Sequence, residues 1–243
     1  MGDLGQIVSF ALITLLVMAF LSWRVVRALR FDRATASAFF LATLFVNAGN
    51  YGLPLNLLAF GEEGLARAIV FYATNSFLIN TLAVYLASRG HAGVRGPAAN
   101  VFKFPLIYAV VAALTVNFGG IEVPEPLFRA LEIMGGAAIP VLLLVLGIKL
   151  SQSSVKEKVG VIGLATFMRL VVGSGVALGI ASLMGLEGAT RQACVAEASM
   201  PTAVLTTVLA VEFDAQPEFV TGTAFSTTLA SIFTLTLLLR YLL

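Results

Sequence analysis

Phe39-Phe40-Leu41-Ala42-Thr43-Leu44-Phe45-Val46 is an apolar run that gives way to Asn47-Ala48-Gly49-Asn50-Tyr51-Gly52-Leu53-Pro54, then resumes as Leu55-Asn56-Leu57-Leu58-Ala59-Phe60. A second run, Ala193-Cys194-Val195-Ala196-Glu197-Ala198-Ser199-Met200-Pro201-Thr202-Ala203-Val204-Leu205, is interrupted in the same manner. A helix broken inside a bilayer frees backbone N–H and C=O groups that hydrocarbon cannot satisfy. Such breaks survive only inside protein or beside a water-filled cavity. Paired breaks in two halves of a chain point to the binding site of a secondary transporter.

The rest of the chain fits that setting. Of its 243 residues, 59% are hydrophobic and only 12% charged, and the mean hydropathy is +0.97. Soluble domains are nearer a quarter charged. Apolar runs of roughly 20 residues, each long enough to cross a bilayer, recur from end to end. The fold class is therefore an all-α polytopic membrane protein with about eight transmembrane helices. The spans are expected near 4–29, 37–59 (broken), 64–88, 103–119, 126–150, 159–184, 188–211 (broken) and 217–241. The start of the chain lacks a basic n-region and a cleavage site, so the first run is read as a retained helix. One cysteine, Cys194, and one histidine, His91, exclude a disulfide framework and a His/Cys metal cluster.

Basic residues set the expected orientation. Arg24, Arg27, Arg30, Arg33, Arg89, Arg95, Lys103, Lys149, Lys156 and Lys158 fall in loops on one side; Arg67, Arg129, Arg191 and Arg240 fall on the other. The first set is assigned to the cytoplasm, with both termini outside. The protein is expected in the cell (inner) membrane as a multi-pass protein.

The first three spans mirror the last three: a long helix, a broken helix, a short acidic loop and a long helix. The two sets lie an odd number of helices apart, so they are inverted in the membrane. This divides the chain into a partial first repeat of three helices, 1–96, and a second inverted repeat of five, 97–243. The 3+5 pattern predicts two more helices before Met1.

Four motifs carry a family resemblance. Asn47-Ala48-Gly49-Asn50-Tyr51-Gly52-Leu53-Pro54-Leu55 with Phe60-Gly61-Glu62-Glu63-Gly64 resembles the fourth helix of the auxin efflux carrier family. Gly135-Gly136-Ala137-Ala138-Ile139-Pro140-Val141-Leu142-Leu143 with Leu146-Gly147 resembles its seventh helix. Arg191-Gln192-Ala193 through Glu197-Ala198-Ser199-Met200-Pro201-Thr202-Ala203-Val204 resembles its ninth, and Ser226-Thr227-Thr228-Leu229-Ala230-Ser231 its tenth. The resemblance implies ten helices in two inverted repeats, with the fourth and ninth crossing at their proline breaks. It also implies that a small organic anion binds at the crossing, and that a homodimer forms through scaffold helices. This chain departs from that pattern at the two helices expected before Met1.

Each candidate residue has a structural reading beside the functional one. Pro54 removes a backbone donor, and Asn47 and Asn50 would then contact substrate or cap freed groups; a kinked helix with packing asparagines is the alternative. Tyr51 could bond a ligand or simply pack. Pro201 and Thr202 mark the matching break, where a half-helix N-terminus would face an anion. Glu197 lies one turn earlier at a depth where carboxylates are costly and usually functional. It is a candidate to carry a coupling proton, or else to bond the broken backbone. Arg169, deep in the sixth span, could neutralise substrate, pair with Glu197 or snorkel; the structural pair is preferred. Asn75, Ser226 and Thr227 are polar positions near the crossing by sequence.

The residues of an enzyme are missing. There is no zinc-binding pair, no Ser/His dyad and no catalytic residue; Val172 stands where a G-x-S-G motif around Ser174 needs glycine. No P-loop is present, and no cofactor, metal or nucleic-acid partner is expected. The expected function is secondary transport of small organic anions (carboxylates or auxin-like) by alternating access, driven by protons or sodium. Two alternatives stay open: a non-transporting truncated fragment or scaffold, and a sodium- or proton-coupled transporter of a related inverted-repeat family.

Overall fold

The computed structural model describes residues 2–88, 108–109, 112–113, 115–116, 119–151 and 159–243. The expected span at 103–119 lies almost wholly outside them, as do Arg89, Arg95, Lys103, Lys156 and Lys158. The described elements are helical, as the composition requires. They are α1 (Gly2–Ala28), α2 (Arg33–Leu44), α3 (Leu53–Leu78), α4 (Val84–Ser88), α5 (Glu125–Ser151), α6 (Val159–Phe167), α7 (Gly173–Leu183), α8 (Gly188–Ala198), α9 (Val204–Glu212) and α10 (Pro217–Leu242). Three π-helical turns, Ala48–Gly52, Ile79–Ala83 and Met168–Val172, join α3, α4 and α7 to what precedes them. Among the described residues, four helical stretches are long and apolar enough to cross a membrane: Leu4–Ala28, Ala48–Ser88, Val159–Leu183 and Pro217–Leu242.

Local chemistry explains the boundaries. Asp32 caps α2 by accepting the Thr35 N–H at 3.1 Å. α10 starts with Pro217 in its first turn, where a missing N–H costs nothing. At Gly61 the backbone leaves the helix with φ 66° and ψ −162°, a region essentially reserved for glycine. That single residue takes the place of the expected loop between the second and third spans.

The two breaks differ from expectation in one respect. Pro201 lies within its break, between the end of α8 and the start of α9. Pro54 does not: the first break is the non-helical stretch Phe45–Asn47, and Pro54 sits in the first turn of α3. Proline is tolerated there, and its ring still clashes with the carbonyl four residues back. The chain relieves the clash by widening into the π turn, in which Gly52 N–H reaches the Asn47 carbonyl at 3.0 Å.

Two large apolar clusters, with a small third of Leu53, Ala68 and Ala193, fill the described interior. One gathers Met18, Phe39, Leu41, Phe45, Met168 and Phe219; the other gathers Ile7, Phe10, Phe71, Val195, Met200 and Leu235. The crossing strands thread between them. Phe45 belongs to the first and Val46 to the second, Met200 to the second and Ala203 to the first. α8 packs along α3, and α1 lies against α2, α3 and α7. Leu16, Leu183, Phe233 and Leu237 project outward, as lipid-facing residues do.

Gly61→Ala is expected to destabilise the protein by about 1–3 kcal/mol. A Cβ there meets open space, so the loss would be backbone strain alone. A lowered midpoint in detergent thermal unfolding checks this; an unchanged midpoint would show that the turn tolerates a side chain.

Candidate functional site

The site is built where α2 and α8 end. Asn47 N–H donates to the Pro201 carbonyl at 2.8 Å and Ala203 N–H donates to the Phe45 carbonyl at 2.9 Å. These bonds form a short antiparallel bridge centred on Val46 and Thr202. Side chains take up the remaining groups. Thr202 Oγ1 donates to the Ala42 carbonyl at 2.7 Å, Thr202 N–H donates to Thr227 Oγ1 at 3.2 Å, and Asn75 Nδ2 donates to the Val46 carbonyl at 3.0 Å. Pro201 makes its break unavoidable, because it has no N–H and steers Met200 away from helical backbone.

Arg169 serves the two C-terminal ends. It is 1% exposed and projects from the π turn Met168–Val172. Nη1 donates to the Thr43 carbonyl at 2.9 Å and Nη2 donates to the Ala198 carbonyl. Each helix C-terminus carries about half a negative charge, so one guanidinium offsets both. Gly173 makes room: a Cβ there would lie 2.6 Å from Nη2. The expected Arg169–Glu197 pair does not form, since the guanidinium's recorded bonds go to backbone carbonyls.

The two N-terminal ends open on a cavity of about 280 Å³. Ala48, Gly49 and Asn50 from one break and Ala203, Val204 and Leu205 from the other line it, with Asn47, Tyr72, Asn75 and Ser76. The first-turn N–H groups of a helix have no partner within it, and here two such turns face one space. Asn47 is 5% exposed, yet its Nδ2 has no hydrogen-bond partner among the described residues. No charged side chain is among the described lining residues. Gly49 lets the turn approach Tyr72, whose Cε2 would lie 2.8 Å from an added Cβ.

Asn47 and Asn50 thus line the cavity. Pro201 and Thr202 hold the bridge behind it, and Pro54 is buried in α3. Tyr51 faces the other way, its hydroxyl 3.4 Å from Ser231 Oγ. Glu197 is wholly buried on the last turn of α8, where Oε1 accepts from Asn56 Nδ2 at 3.0 Å. Asn56 and Tyr72 were not singled out from sequence, whereas Gly49 and Gly52 were expected to loosen the backbone at the first break. Asn56 carried a readable signal: a polar residue in an apolar run, four residues after Gly52 and on the same helix face.

Residues 98–239 match the model of the membrane transport protein family. The chain belongs to that family. It is the family of the auxin efflux carriers, the resemblance drawn from the motifs. The chain is 34% identical over 202 residues to an uncharacterized transporter of Methanothermobacter thermautotrophicus, covering 81% of this chain and 65% of the relative. It is 28% identical over 203 residues to an uncharacterized transporter of Methanocaldococcus jannaschii, with the same two coverages. A Rhizobium meliloti protein described provisionally as a malonate transporter is 29% identical over 206 residues, covering 82% of this chain and 64% of that protein. The chain therefore spans a little under two thirds of the length of these relatives. The family is one of membrane-embedded transporters, not of enzymes.

Arg169→Met is expected to leave the Thr43 and Ala198 carbonyls buried and unpaired, at about 1–3 kcal/mol each. Arg169→Lys is expected to recover part of the loss, since an ammonium lacks the fork that reaches both. Thermal unfolding of the two variants checks the order; equal stability of Met and wild type would remove the clamp from the account.

Proposed function

We propose that this protein is a secondary transporter of small organic anions, with the carboxylate held at the paired half-helix N-termini of the cavity. The observation that carries the reading is the meeting of two N-terminal turns with the partnerless Asn47 amide in one space of about 280 Å³. Positive dipole ends and free N–H groups are a ready-made anion site. The volume is near the lower end of small-molecule pockets, about 300–1,000 Å³. The apolar lining residues Ile79, Val204 and Val208 suit a short carbon skeleton. The relative described as a malonate transporter supports a carboxylate as the substrate class. Transport proceeds by alternating access about the crossed helices, driven by a proton or sodium gradient.

The test is uptake of labelled malonate and of labelled short monocarboxylates into proteoliposomes under imposed proton and sodium gradients. Asn47→Ala removes one donor to the anion and is expected to raise KM about tenfold, with the protein still folded. Val204→Phe fills the cavity and is expected to abolish uptake. Saturable uptake that neither substitution changes would move the site elsewhere.

A further inference from the structure

Glu197 and Asn56 are both wholly buried. Asn56 Nδ2 uses its two hydrogens fully, donating to Glu197 Oε1 at 3.0 Å and to the Gly52 carbonyl at 2.9 Å. Two atoms of these side chains then remain without a partner among the described residues: Glu197 Oε2 and Asn56 Oδ1. If Glu197 is ionised, both are acceptors facing no donor, and a bare charge is buried as well. One proton changes both at once. Placed on Oε2 it makes that oxygen a donor, and the amide oxygen of the same neighbour is the acceptor that lacks one. The result is a closed ring of two hydrogen bonds, Oε2–H to Oδ1 and Nδ2–H to Oε1.

We propose that Glu197 binds one resident proton on Oε2 and forms this closed acid–amide pair with Asn56. The surroundings favour a proton over a metal cation. Gly52 lies directly against the carboxyl, so that a Cβ there would be 2.2 Å from Oε2 and 2.5 Å from Oε1. A cation's shell of about six oxygens has no room on that side. The other polar groups nearby do not neutralise a carboxylate. Arg169 is engaged with the Thr43 and Ala198 carbonyls, and Cys194, one turn before Glu197, is a buried free thiol. The backbone N–H groups of the adjoining turn are committed too: Gly52 N–H goes to the Asn47 carbonyl and Leu53 N–H to that of Ala48, while Pro54 has none.

The position gives the pair its role. The turn Ala48–Gly52 separates it from the cavity, with Gly49 and Asn50 facing the cavity and Gly52 facing Glu197. The pair ties α8 to the back of that turn without placing a charge beside it. The proton stays with the protein and does not travel with the cargo.

Infrared spectroscopy of the purified full chain at neutral pH tests this. Surface carboxylates are ionised there, so a protonated carboxylic carbonyl band is expected in wild type. The band is expected to vanish in Glu197→Gln and to shift in Asn56→Ala, which removes a hydrogen bond to it. Glu197→Gln can keep the ring as an amide–amide pair, so its melting midpoint is expected within about 3 °C of wild type, with Glu197→Ala clearly lower. Replacing potassium by sodium is expected to leave the wild-type midpoint unchanged. A missing acid band, or a sodium-dependent rise in midpoint that Glu197→Gln abolishes, would overturn the proposal and assign these oxygens to an ionised, cation-holding site. None of these readouts depends on transport, so failure of the anion-transport reading would be seen separately.

Discussion

Everything in this fold depends on one constraint: a backbone group freed inside a membrane must find a partner within the protein. Two interrupted helices are two sources of such groups, and neither break could exist alone. Phe45 and Asn47 are satisfied by Ala203 and Pro201, each break serving as the partner of the other. The mutual bridge explains why the interruptions come as a pair, and why apolar clusters on both sides are joined through Phe45–Val46 and Met200–Ala203.

The same crossing divides charge. Both C-terminal ends converge on a single guanidinium, and both N-terminal ends converge on a cavity whose described lining has no charged side chain. Arg169 therefore silences the negative pair of dipole ends and leaves the positive pair exposed to whatever enters. On the proposed reading, with no cationic side chain among the described lining residues, the backbone itself would be the recognition element. A backbone site holds an anion without a lysine or arginine whose own desolvation would have to be offset.

Much of this was legible in the sequence, for physical reasons that differ from element to element. Pro201 locates its break because a residue without N–H, preceded by one barred from the helix, leaves little choice. Pro54 pointed to the right segment but the wrong residues, because proline is harmless in a first turn and its clash could be absorbed by a π turn. The non-helical stretch Phe45–Asn47 has no local signal at all. It is held out of the helix by its bridge to the opposite break, a tertiary effect that propensity cannot report. Arg169 was identified as buried and structural, yet its partners were not, since carbonyls at helix ends are invisible in a list of side chains. Asn47 and Asn50 were found by composition and position; Tyr72 was missed because an aromatic in an apolar helix has no distinguishing pattern.

The hydrogen bonds also restrict how such a site can move. The bridge, the Thr202 bonds, the Asn75 bond and the Arg169 clamp all run between elements of the crossing itself. A motion that separated the two breaks would strand several buried donors and acceptors at once, each at about 1–3 kcal/mol. A motion that keeps the two breaks together spares these bonds, whatever apolar contacts it exchanges around the crossing. Within hydrocarbon those contacts are nearly free to exchange, because lipid is as apolar as the side chains that face it. On the proposed transport reading, the arrangement that satisfies the broken backbone also favours motions in which the two breaks, with Arg169 between them, stay together.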